Sequence, residues 1–227
     1  MWCIPKITNQ FITRMEDILD LYDLPYNPLE PVICLDEKPY QLLGNRRNPI
    51  PMKKSGGIRK TDYEYIRNGT VNIFCAVEPK KGRHFTVVTE KKKGSDFAKM
   101  LKYLAGYYPN AKVIHLVMDN YSTHTMKSLT DYFEEIEGKK LWDKFKIHYT
   151  PVHASWLDQA EIEIGIYSSQ CLGKRRIDTI EKLKKETAAW NKRVNKKKLK
   201  FEWRFTTTKA REKFKYSRLN LSQNKAD

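Results

Sequence analysis

Two short apolar runs, each followed by an aspartate, constrain this chain most. Pro31-Val-Ile-Cys-Leu leads into Asp36, and Lys112-Val-Ile-His-Leu-Val-Met118 leads into Asp119. Short, nearly continuous apolar runs read as strands buried on both faces, and such strands need helices on both sides of their sheet. The rest of the pattern fits. Thr70 to Val77 and His84 to Thr89 flank the turn-prone Glu78-Pro-Lys-Lys-Gly-Arg83 and predict a hairpin, so the first three strands are expected to be antiparallel neighbours. Phe145 to Tyr149 reads as a further strand. Helical spacing appears over 6–24 (Phe11, Met15, Ile18, Leu19, Tyr22), 95–107 with Ser95 as the N-cap, 123–136, 157–172 and 177–194. Three prolines between Pro25 and Pro31 end the first helix. Gly44 to Arg67 is polar and without period, and is expected to be a long connection. The order β-β-β-α-β-α-β-α predicts an α/β fold with one mixed sheet and helices on both faces.

Charge supplies the next constraint. The chain of 227 residues has a formal net charge of +16. Residues 174–227 hold 19 Lys and Arg against 6 Asp and Glu, while the first 173 hold 24 against 21. A nearly balanced body with a strongly basic final quarter points to a polyanionic partner, with nucleic acid first. The 40 % of hydrophobic residues excludes a largely disordered chain. No apolar run approaches the roughly 20 residues of a membrane span, and Met1 to Glu16 lacks a signal-peptide pattern. Cys3, Cys34, Cys75 and Cys171 contain no Cys-x-x-Cys pair, so neither structural zinc nor a disulfide framework is expected, and the setting is read as cytoplasmic.

In a basic chain the acids carry the information. Asp36 and Asp119 follow strands of similar character, and in open α/β sheets strand ends face the ligand crevice. A divalent-metal site needs a third carboxylate, and the segment from Leu157 offers Glu161 and Glu163. They stand about 200° apart on a helix, so only one can face the sheet. Glu161 shares a stripe with Leu157, Ile164, Ser168 and Leu172 and is the better candidate.

Val32-Ile-Cys-Leu-Asp-Glu-Lys-Pro39, Leu116-Val-Met-Asp-Asn-Tyr-Ser-Thr-His-Thr125 and Tyr149-Thr-Pro-Val-His-Ala-Ser-Trp-Leu-Asp-Gln-Ala-Glu-Ile-Glu163 resemble the three acidic motifs of IS630-type transposases, within the Tc1/mariner DDE group. The likeness runs from Trp2-Cys-Ile-Pro5 to Trp203-Arg-Phe-Thr206. It implies an RNase H-like catalytic domain over 31–206, preceded by a helix and linker over 1–30 and followed by a basic tail over 207–227. It also implies catalytic and metal-holding acids Asp36, Asp119 and Glu161. The family's third motif, Leu-Asn-x-x-Glu, appears as Leu157-Asp158-Gln159-Ala160-Glu161, with Asp in place of Asn. The implied cofactor is Mg²⁺ or Mn²⁺, as two ions roughly 3.5–4 Å apart, serving cleavage by water and joining by a DNA 3′-hydroxyl. The implied partners are double-stranded DNA, as element ends and target, and a second copy in synapsis, with cut-and-paste movement into TA dinucleotides.

Glu37, next to Asp36, points to the opposite strand face and is expected either to support the acids from behind or to be structural. Asn120 and His124 belong to the second motif by resemblance, and His124 is expected to position water or phosphate, or to cap and pack. Arg46, Arg47, Lys53 and Lys54 in the long connection, His153, and Lys192, Arg193, Lys196, Lys197 and Lys198 in the basic run are candidates for phosphate contacts, which grip DNA without reading sequence. Trp156 is expected in the core. None of the five histidines pairs at ligand spacing along the chain. The segment before Asp36 leaves no room for helix-turn-helix domains, so a catalytic domain alone is expected. A nuclease or resolvase without strand joining, and a non-catalytic DNA-binding remnant, are the competing expectations.

Overall fold

The computed structural model describes residues 7–52, 58 and 60–216. Expectations resting on Trp2 to Pro5, Lys53, Lys54, and 217–227 fall outside them. Five strands make one sheet in the order β3-β2-β1-β4-β5. β1 (Val32–Asn45), β2 (Tyr65–Glu78) and β3 (Arg83–Thr89) run antiparallel, and β4 (Ile114–Met118) and β5 (Phe145–Tyr149) join parallel beyond β1. This is the mixed RNase H-like sheet that the motifs implied.

Strand alternation sorts the core onto two faces. Ile33, Leu35, Phe74, Ala76, Leu116 and Met118 meet α2 (Gly94–Tyr107), α3 (Met126–Phe133) and α4 (Glu135–Trp142) through Phe97, Leu101, Leu104, Leu129 and Leu141. On the other face Cys34, Val77 and Val117 pack on α1 (Asn9–Asp23), α5 (Ala160–Tyr167) and α7 (Thr207–Phe214). Ile73 and Cys75 meet Tyr167 and α6 (Ile180–Lys197) through Leu183, Trp190 and Val194. Each fully buried Leu or Phe in these layers contributes about 2 kcal/mol by leaving water. α6 also lies along the open edge of β3, where Asn195 Nδ2 donates to His84 O and Asn191 Nδ2 to Thr86 O, both at 2.9 Å. Those amides blunt a strand edge that would otherwise pair with another chain.

Several boundaries differ from the sequence reading. β1 does not stop at Asp36 but continues to Asn45, because β2 pairs with it throughout. Beyond Cys34 no β4 partner flanks it, so Pro39 lies in an edge segment where a missing N–H is tolerated. The expected connection from Gly44 to Arg67 therefore shrinks to 46–64. α2 starts one residue early, with Lys93 N–H donating to Asp96 Oδ2 (3.1 Å), so Ser95 is inside the helix rather than its cap. The single helix expected over 123–136 is two, broken at Glu134 with φ 68°. α1 starts at Asn9 rather than residue 6, with Thr8 as its cap, accepting from Phe11 N–H (3.2 Å). The helix expected over 157–172 is a 3₁₀ turn at Ser155–Leu157, then α5, then a π turn at Ser168–Leu172. Residues 207–214, the start of the expected tail, form α7 against α1, where Arg211 Nε lies 2.7 Å from Glu16 Oε1.

Candidate active site

The site grows out of the β1–β4 pairing. Cys34 lies opposite Val117 in the parallel register, so two residues further on each strand Asp36 and Asp119 stand at one level. β4 ends there, and Asp119 opens the loop to α3. Asp36 shares its strand face with Cys34, toward α5, and Glu161 sits in the first turn of α5. Its N–H donates to Asp158 O (3.1 Å).

The acids act on one another through their charges. Burial raises the Asp36 carboxyl first; its bond from Glu37 N–H (2.7 Å) opposes this, and the charges of Glu161, Asp119 and Glu37 add to the rise, leaving it at about 7. Asp158 is buried and held well above the carboxylate range, by desolvation and by the charges of Asp36, Glu161 and Asp119. Its Oδ1 accepts from Ala160 N–H (2.9 Å) at the start of α5, while among the described residues Oδ2 has no hydrogen-bond partner. Asp119 behaves oppositely. Burial works against its ionisation, but the hydrogen bond and charge of His124, the Tyr121 N–H and the Lys92 charge outweigh that and hold it below its ordinary value.

Behind Asp119 stands a charged network. His124 Nδ1 is 2.7 Å from Asp119 Oδ1 and His124 Nε2 is 2.9 Å from Glu37 Oε1. Lys92 Nζ is 3.0 Å from Glu37 Oε2 and lies 3.8 Å from the centre of the Tyr121 ring. Burial would lower the His124 pKa, but the two carboxylates override it and push it up to about 9. His124 is 0 % exposed, so it does not face water or phosphate as the resemblance had implied. Glu37 lies on the opposite strand face from Asp36, buried against His124. Asn120 is exposed beside Asp119.

The two glutamates of α5 exchange the environments expected of them. Glu163, not Glu161, is held against the sheet: it is 0 % exposed and its Oε2 lies 2.7 Å from His84 Nδ1 on β3. Glu161 is exposed, on the side of the helix that brings its charge to Asp36. The buried stripe runs through Ala160, Glu163 and Tyr167, with the Tyr167 hydroxyl 2.6 Å from Thr187 Oγ1. The break at Asp158 and Gln159 puts Leu157 in a separate turn, so it does not set the phase of α5.

The basic candidates lie apart from these acids. Lys192, Arg193, Lys196, Lys197 and Lys198 are exposed on and just after α6, beside β3 and two strands from β1. Arg46 and Arg47 sit at the far end of the β1–β2 hairpin, 3.4 Å from Glu64 and 3.5 Å from Asp62. His153 is exposed with φ 61° in the loop after β5, and borders a cleft with Arg14, Gln10 and Thr8. Trp156 packs on the α1–α7 core, with its ring 5.6 Å from Phe205. One cluster escaped the sequence reading. His115 Nδ1 is 3.0 Å from His148 Nε2, whose Nδ1 is 2.6 Å from Asp17 Oδ2. Only the β4–β5 pairing brings these histidines together, and spacing along the chain gave no signal of it.

Among the described residues no three His, Cys, Asp or Glu side chains are already gathered as a metal cage. The donor chemistry nonetheless suits a hard cation: Asp36, Asp119 and Glu161 offer oxygen ligands, and their mutual repulsion is what a divalent ion relieves. No described helix is long and apolar enough to cross a membrane.

Comparison with known proteins follows the same lines. The chain shares its fold with the Mos1 mariner paired end complex with Mn (TM-score 0.55, 14 % identity, 88 % of this chain and 62 % of that one). It also matches the Mos1 complex with Mg (TM-score 0.56, 15 % identity, 95 % and 63 %) and the Mos1 Strand Transfer Complex (TM-score 0.54, 13 % identity, 87 % and 61 %). It thus spans about three fifths of those chains' length. No curated protein sequence matches it. The sequence model described as DDE superfamily endonuclease matches residues 31–184, from the start of β1 into α6 and across all three acidic motifs. With that match over most of its length, the chain belongs to the DDE superfamily endonucleases.

Proposed function

We propose that this chain is the catalytic part of a DNA transposase, cutting DNA phosphodiesters and joining a 3′-hydroxyl end to a target at one acidic site. The observation that carries this is the convergence of Asp36, Asp119 and Glu161, with Asp36 driven to about 7 partly by the other two charges. Mos1 is similar in fold, and its solved complexes are described as paired end and strand transfer complexes, with Mn or Mg.

Asp36, Asp119 and Glu161 would hold Mg²⁺ or Mn²⁺, as two ions. Bound there, the metal supplies Lewis acidity to the attacking and leaving oxygens of an in-line displacement at phosphorus. Asp36 must lose its proton to take part, so it couples cation binding to pH. Asp119, kept ionised by His124, needs no such step. Hydrolysis exchanges a phosphorus–oxygen bond to sugar for one to water oxygen. Joining exchanges it for one to a DNA 3′-oxygen, so the same residues serve both. The exposed lysines and arginines of α6, with Arg46, Arg47, Lys53, Lys54 and His153, hold the phosphate backbone of double-stranded DNA. By the same reading two copies act in synapsis on TA targets, in the cytoplasm and at the nucleoid.

A second reading is cleavage without joining, favoured by the matched family's description as an endonuclease. The test is nicking of supercoiled plasmid in Mn²⁺ and Mg²⁺, then joining of a pre-cut 3′-hydroxyl oligonucleotide to plasmid. Metal-dependent nicking lost in Asp119→Ala and Glu161→Ala, followed by joining, supports the transposase reading. Nicking without joining favours the endonuclease. DNA binding that falls steeply with salt, with no cleavage by wild type, marks a non-catalytic remnant.

A further inference from the structure

Asp36 and Glu37 are consecutive acids that β1 sends to opposite faces, and Glu37 enters a chain of charges ending on Asp119. His124 joins them: Nδ1 is 2.7 Å from Asp119 Oδ1 and Nε2 is 2.9 Å from Glu37 Oε1. Each ring nitrogen thus faces a carboxylate, and Nδ1 also lies 3.2 Å from the Asp119 backbone O, so an acceptor stands on both sides of the ring. Two rings hold it: Phe97 lies tilted against it at 4.7 Å and Tyr121 packs edge-on at 5.8 Å, while Lys92 Nζ lies 3.0 Å from Glu37 Oε2 beyond. Tyr121 N–H donates to the same Asp119 oxygen, Oδ1, at 3.2 Å. Among the described residues Asp119 Oδ2 has no such partner.

We propose that His124 is a positioning residue: braced by Glu37 and Lys92, it spends one oxygen of Asp119 on the protein and presents the other to a divalent cation. The inference rests on the metal-dependent reading above. It gives the histidine a purpose that its burial allows, since a ring without solvent exposure cannot meet water or DNA. It also explains an acid directly after Asp36 that faces away from the acidic site. An orienting partner of this kind changes metal affinity or activity by about 10- to 100-fold when removed.

Mn²⁺ binding measured by electron paramagnetic resonance, without DNA, separates positioning from charge. Asp119→Ala and His124→Asn are compared with wild type, with the melting temperature of each as a folding control. Charge alone predicts tighter binding in His124→Asn, because a cation in contact with Asp119 is gone. Positioning predicts the reverse, binding weaker by about tenfold. Wild-type binding that is lost in Asp119→Ala but unchanged or tighter in His124→Asn overturns the inference alone. A wild type that binds no Mn²⁺, or binds it equally with Asp119→Ala, overturns the metal-dependent reading and this inference with it. Should His124→Asn not fold, Glu37→Gln carries the test, since it keeps the side-chain shape. Its nicking rate at saturating Mn²⁺ is then expected to fall about tenfold with the half-saturating DNA concentration within about twofold. A rate equal to wild type overturns the inference.

Discussion

The two faces of β1 treat neighbouring acids in opposite ways. On the α5 face burial lifts Asp36 to about 7, with the charges of Glu161 and Asp119 adding to the rise. On the α2 face Glu37 is buried more fully than Asp36 but meets His124 at 2.9 Å and Lys92 at 3.0 Å. One acid is left in want of a cation and the other is given two. A sheet strand can do this because consecutive side chains leave on opposite sides. The lesson is that repulsion left unrelieved marks the face where chemistry is expected, and compensation marks the face that holds it in place.

The largest expected effect lies on the uncompensated face. Asp119→Ala and Glu161→Ala should each lower metal-dependent plasmid nicking by about a thousandfold or more, whereas Glu163→Gln should leave it within about tenfold. Loss of nicking in Glu163→Gln alone would transfer the third acid to the buried glutamate and break the comparison. On the compensated face the loss of rate is smaller and a cost in stability accompanies it. Glu37→Gln takes the counter-charge from a buried imidazolium and should cost about 3 kcal/mol in urea denaturation; a cost near zero would mean that the network holds nothing.

Asp36→Asn sharpens the contrast through pH. The folded value near 7 exceeds the ordinary 3.8, so between those pH values the folded state holds more protons than the unfolded one. Metal-free stability then falls as pH rises from about 4 to about 7 and levels off above. Asp36→Asn should remove about 4 kcal/mol of that fall, read from urea midpoints across the range. The stabilisation by Mn²⁺ should grow with pH over the same window, because binding displaces the proton. Asp158→Asn is the smallest change. Either side chain keeps an oxygen for the Ala160 N–H, and stabilities within about 1 kcal/mol are expected.

Where burial is continuous, the sequence was a good guide to the sheet. Ile33 to Leu35 and Ile114 to Met118 are buried on both faces or nearly so, and hydrophobicity alone locates them. The half of β1 beyond Asp36 was not legible. Its pairing with β2 overrides Pro39 and its mixed polarity, and pairing is a property of two segments. The acids show the same division. Asp36 and Asp119 follow strands, so periodicity found them, whereas the choice between Glu161 and Glu163 required the phase of α5. That phase is reset at Asp158 and Gln159, and the buried stripe carries Glu163 and Tyr167, polar groups whose partners His84 and Thr187 come from β3 and α6. The His124 network was invisible for the same reason: 87 positions separate it from Glu37.

The most direct measurement is anomalous diffraction at the manganese edge from crystals of the chain grown with Mn²⁺. Peaks between Asp36 and Asp119, with Glu161 turned toward them and Asp119 Oδ1 still on His124, are the predicted result. Manganese bound instead at His115, His148 and Asp17, or at Glu163, with the Asp36 side empty, would contradict it.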